Sequence, residues 1–69
     1  MSVVMYTKPG CPYCAAARND LIARGIEFDE IDVYATPGAR DTVAELTGGS
    51  MVVPVLIEGG DVRVGFGGG

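Results

Sequence analysis

Two cysteines, Cys11 and Cys14, stand two residues apart with Pro12 and Tyr13 between them, where Thr7-Lys-Pro-Gly10 gives way to an alanine-rich run. Close thiols can bind a metal, hold a haem, or pass electrons by making and breaking a disulfide. Haem attachment requires histidine next to the pair, and position 15 is alanine. A tetrahedral zinc site needs four ligands, and a chain with two cysteines and no histidine supplies half of them. Thiol–disulfide exchange is the chemistry left, with incidental burial of two cysteines as the bland alternative.

The spacing assigns different work to the two sulfurs. Pro12 suits the first position of a helix, which puts Cys11 at its cap, where unpaired N–H groups and the helix dipole favour an anion. A thiolate is therefore expected at Cys11, with Lys8 three residues earlier as a further cation. Cys14 falls one turn into the helix on its apolar side and is expected to be more buried and less acidic. By this asymmetry Cys11 attacks and Cys14 resolves. Residues three apart on a regular helix have Cβ atoms roughly 5–6 Å apart, too far for a disulfide, which wants about 3.5–4.5 Å. A non-helical cap at Cys11 lets its side chain turn inward and close that gap.

These thiols have to be positioned by a small molecule. The chain has 69 residues, five cationic and nine anionic side chains, a net charge of −4 and no histidine. One domain is expected at this length, with about 60% of the unfolded surface buried. The dispersed bases Lys8, Arg18, Arg24, Arg40 and Arg63 give no attraction for nucleic acid. The first residues lack a basic leader and a long apolar run, so they read as neither signal peptide nor membrane span. A cytoplasmic setting is expected, where thiols are kept reduced and a close pair is a working one.

Val3 to Tyr6 form an apolar, β-favouring run read as a buried first strand. From Pro12 to Gly25 the pattern predicts a helix whose stripe holds Cys14, Ala17 and Leu21, with Ala16 and Ile22 beside it. Ile26 to Val33 alternates as a strand, with a break in phase at Glu30 that leaves room for a bulge. Thr36-Pro37 reads as a cap and first turn of a second helix ending near Gly48-Gly49. Pro54 to Ile57 and Val62 to Val64 then form a hairpin around Gly59-Gly60. The fold class expected is α/β, in the order β-α-β-α-β-β, with a four-stranded mixed sheet over residues 1–65 and a glycine-rich tail at 66–69.

The segment Tyr6-Thr-Lys-Pro-Gly-Cys-Pro-Tyr-Cys14 resembles the active site of the dithiol glutaredoxins, and the likeness extends through Phe28 to Val33, Val53-Pro54 and the glycine-containing end of the last strand. The resemblance implies a thioredoxin-like fold that reduces disulfides, above all mixed disulfides of glutathione. Cys11 matches the family's nucleophile and Cys14 its resolving thiol. Lys8 and Tyr13 match positions flanking bound glutathione. Val53 matches the residue whose backbone pairs with glutathione's cysteine, Pro54 a cis-proline, and Gly65 the glycine loop beyond the last strand. Glutathione is thus the implied co-substrate, with no metal, and the partners are glutathionylated or disulfide-containing proteins met by a monomer.

The chain departs from the family at its end. Val64-Gly-Phe-Gly-Gly-Gly69 has no aspartate after Gly65, and the family's following helix is absent from this chain. Gly65-Phe66 is closer to the small redoxins that are recharged by thioredoxin reductase and donate electrons to ribonucleotide reductase. A dimer holding an iron–sulfur cluster through Cys11 and glutathione is a third reading, which proline after the first cysteine disfavours by resemblance.

Overall fold

In the computed structural model residues 3–65 are described, and they form β1 (Val3–Thr7), α1 (Pro12–Ala23), β2 (Phe28–Asp32), α2 (Ala39–Thr47), β3 (Val55–Glu58) and β4 (Asp61–Val64). The glycine-rich stretch at 66–69 lies outside them. The strands make one mixed sheet in the order β2-β1-β3-β4, with β1 parallel to β2, antiparallel to β3, and β3 antiparallel to β4. This is the α/β, thioredoxin-like arrangement.

Alternation along β1 sorts the core. Val3, Met5 and Thr7 are buried, whereas Val4 and Tyr6 are only partly so, which corrects the reading of a strand buried throughout. Val3, Met5 and Leu56 pack with Ala17 and Leu21 of α1. The second cluster joins Cys14 to Val33, Ala39, Val43, Val53 and Val55, with Tyr6, Ile31 and Leu46 against it. Ala16 and Ile22 are exposed, because the turn-by-turn stripe of α1 runs through Cys14, Ala17 and Leu21 and leaves no room for a wider face.

Two local expectations give way. The β1–β2 register runs without a break from Val3 opposite Phe28 to Thr7 opposite Asp32, and so contains no bulge at Glu30. Val33 reaches the core just past the strand, where its N–H bonds to the Thr7 carbonyl at 2.9 Å. The second helix starts at Ala39, after Gly38; Thr36 and Pro37 form a turn closed by the Ala39 N–H on the Thr36 carbonyl at 3.1 Å. The hairpin is as read, with φ of 52° at Gly59 and 97° at Gly60, the two positive values that a twisted two-residue turn requires.

Among the described residues no helix is long and apolar enough to cross a membrane.

Candidate active site

Parallel pairing of β1 with β2 sends both strands toward the same end of the sheet, and α1 begins there. Cys11 is its N-cap, with extended backbone angles (φ −94°, ψ 109°), and Pro12 follows inside the first turn. The Cys11 Sγ accepts a hydrogen bond from the Cys14 backbone N–H at 3.2 Å, so the sulfur itself supplies the capping acceptor. At the other end of α1, the Gly25 N–H bonds to the Ile22 carbonyl and the Ile26 N–H to the Leu21 carbonyl. That paired closure, with Ile26 packed in the same cluster as Leu21, fixes the helix at its C-terminus.

Antiparallel pairing of β1 with β3 brings a second segment to the same place. Tyr6 lies opposite Val55, so Val53 and Pro54 run alongside the loop that leads to Cys11. The Val53–Pro54 peptide bond is cis, and the Val53 carbonyl is 3.9 Å from the Cys11 Sγ, within reach of a thiol donor. Val53 and Pro54 are buried, Cys11 is half-buried, and Lys8 and Tyr13 are exposed. Cys11, Cys14 and Val53 are thus brought together, with Tyr13 and Lys8 beside Cys11 in the chain. Gly65 sits farther along. Its N–H donates to the Pro54 carbonyl at 2.8 Å, which ties the end of β4 to the cis-proline segment.

Cys14 is 1% exposed, and both cysteines are free thiols. Burial pushes the Cys14 thiol up from its ordinary value and its hydrogen bond to Cys11 adds to this, while the Thr7 side chain and the Lys8 main chain act in the opposite direction. The expected contrast between an accessible first sulfur and a buried second one is therefore present. Two features were not singled out in the sequence. Thr7 stands under Cys14 on the α1 face of β1, a position signalled by its phase with Val3 and Met5. Arg18 forms a two-pronged ion pair with Glu30, which holds α1 against β2 and keeps the Glu30 carboxyl below its usual range.

The comparisons with known proteins agree with this geometry. The family model for glutaredoxin matches residues 3–63. The chain belongs to the glutaredoxin family. A glutaredoxin of Neisseria meningitidis serogroup B is 43% identical over 65 residues, 93% of this chain and 74% of that protein. The gene 56 protein of Mycobacterium phage L5 is 42% identical over 55 residues, 80% of this chain, and the chain spans only 52% of its length. Among solved structures, the glutaredoxin-like NrdH-redoxin of Escherichia coli superposes with a TM-score of 0.84 at 30% identity, covering 96% of this chain and 84% of that one. The matched region of this glutaredoxin-family chain contains the cysteine pair, the cis-proline segment and all four strands up to Arg63.

Proposed function

We propose that the chain is a dithiol thiol–disulfide oxidoreductase that uses glutathione as co-substrate, with Cys11 as nucleophile and Cys14 as resolving thiol. The observation that carries this reading is the placement of the Cys11 sulfur at the cap of α1, facing Val53 beside the cis-proline, with Cys14 buried one turn below. The Cys11 thiolate attacks the sulfur of a glutathione mixed disulfide. A new bond joins Cys11 to glutathione, the old S–S bond breaks, and the substrate leaves as a thiolate that takes up a proton. A second glutathione then attacks the glutathione sulfur bound to Cys11 and regenerates the Cys11 thiolate. Alternatively Cys14 attacks Cys11 and releases glutathione, leaving the intramolecular disulfide to be reduced by two glutathiones. Lys8, Tyr13, Val53, Pro54 and Gly65 are proposed to line the glutathione path, with the Val53 main chain pairing to its cysteine. For Gly65, the N–H is engaged with Pro54, which leaves its carbonyl and Cα surface for that role.

The second reading has its own support. The Escherichia coli relative is described by a thioredoxin-like activity profile, and Gly65-Phe66 matches the redoxins of that type. On that reading thioredoxin reductase recharges the Cys11–Cys14 disulfide and a reductase such as ribonucleotide reductase consumes it.

Parallel assays decide between them. The oxidised protein is supplied with glutathione, glutathione reductase and NADPH in one reaction, and with thioredoxin reductase and NADPH in the other. Faster recharging in the first supports glutathione dependence, and faster recharging in the second replaces it with the thioredoxin-coupled reading. Turnover of a glutathione mixed disulfide by Cys11→Ser at the parent's rate would refute the nucleophile assignment.

A further inference from the structure

β4 is an outer strand of the sheet, and its residues Asp61, Val62, Arg63 and Val64 are all exposed. Its inner side is taken by β3, with Glu58 opposite Asp61 and Leu56 opposite Arg63. A two-residue turn makes the closing pair a hydrogen-bonded one, and bonded pairs then recur at every second residue. The Gly65 N–H on the Pro54 carbonyl continues that series past Arg63. The main-chain groups of Asp61 and Arg63 are therefore engaged with β3. Those of Val62 and Val64 point outward, where no further strand pairs with them among the described residues.

The side chains alternate in the same rhythm. Val62 stands in a row with Ile57 and Val4 across the α2 face of the sheet. None of the three belongs to either buried cluster, and Val62 is 43% exposed. Asp61 and Arg63 lie on the opposite face, and neither is in an ion pair among the described residues. The edge thus offers free main-chain groups at an apolar residue flanked by one acid and one base.

We propose that this edge binds a second copy of the chain, β4 against β4 in antiparallel register about Val62, so that the two sheets become one. Val62 then exchanges main-chain hydrogen bonds with the partner's Val62. Asp61 of each copy lies opposite the partner's Arg63 in a non-bonded pair, the kind whose side chains approach most closely. The apolar row runs on from Val4, Ile57 and Val62 into the partner's Val62. Shifting the register to set Val62 against the partner's Val64 brings Arg63 against Arg63, and the opposite shift brings Asp61 against Asp61. Charge therefore selects a single register. The two-fold axis of this pairing is perpendicular to the sheet, so the two Cys11 sites point to opposite ends and stay open. A four-residue edge makes a small interface, so the pair exchanges with the monomer that the family resemblance implies.

The test is sedimentation of the full chain, kept reduced, in a concentration series up to about 1 mM. The average mass of the parent is expected to climb from monomer toward dimer. Arg63→Asp sets acid against acid and Asp61→Arg sets base against base, and each is expected to weaken association about tenfold as two cross-strand pairs turn from attractive to repulsive. An equimolar mixture of these two variants regains it, because each acid then meets a base on the other chain. The double variant, which keeps the net charge of −4, regains it alone. Val62→Pro removes an outward N–H without touching the bonds to β3 and lowers association as well. Circular dichroism of each variant is expected to match the parent's. A parent that stays at monomer mass throughout the series overturns the proposal. Stronger association of Asp61→Arg does so too, because net charge alone would then govern the encounter, as does failure of the double variant to regain what the single changes lose.

Discussion

The two helices of this molecule begin in different ways. At the start of α1 the capping acceptor is the Cys11 sulfur, held in extended backbone with proline next in line. At the start of α2 the cap is Gly38 in the left-handed region, with φ of 81°, and no side chain accepts from the first turn. Both ends carry unpaired N–H groups, one fewer at α1, where Pro12 has none. Only the first presents to them a group that can change its charge and form a covalent bond. On the proposed reading, the structural cap of α1 and its nucleophile are one atom.

The largest effect that tests this contrast comes from separating the two roles. Cys11→Ser retains a good capping oxygen and is expected to keep its fold, while reduction of a glutathione mixed disulfide falls at least about a thousandfold. Circular dichroism beside the activity assay checks both halves. If Cys11→Ser unfolds, the sulfur is indispensable to the cap as well as to the chemistry, and the two helix starts differ in stability as well as in reactivity.

The next test concerns the group under that cap. The folded chain holds the Cys14 thiol above its ordinary value, chiefly by burial. The unfolded chain therefore loses this proton first as pH rises. The contribution of the neutral thiol to stability is full below the ordinary thiol value and is lost as pH climbs through the raised folded one. Urea midpoints of the reduced protein are expected to fall in alkali, and Cys14→Ala is expected to flatten that fall.

At α2, Gly38→Ala meets no atom within 4 Å, so its cost is conformational alone. About 1 kcal/mol of stability is expected to go, with activity retained, as thermal melting and the same assay would show. Smallest is Thr36→Ala, expected within about 0.5 kcal/mol of the parent because that side chain caps nothing. A larger loss there would restore the capping role that the sequence suggested.

That last pair of substitutions marks where the sequence could be read and where it could not. Pro12 and Pro37 carry the same local signal for a first turn, and it held for α1 because Cys11 adopts the extended cap conformation. It failed for α2 because the chain first makes a turn through Thr36 and Gly38 before it can lay Ala39 and Val43 on the core. Element order, hairpin and cysteine contrast follow from periodicity and turn chemistry, which are local. The hydroxyl of Thr7 and the Arg18–Glu30 pair depend on register between segments, which a single chain read in order does not display. Thr7 looked like the end of a strand, when its phase with Met5 already pointed it inward.

The outer position of β2 in the sheet has a consequence for how copies of this protein meet. An edge strand offers unpaired main-chain groups on which a sheet can grow. Asp29 and Asp32 line this edge, with Glu27 just before it, while the Glu30 carboxylate is taken up by Arg18. Two molecules approaching along β2 therefore set carboxylate against carboxylate before any main-chain bond can form. Self-association through that border is repelled at neutral pH, and added salt is expected to weaken the repulsion.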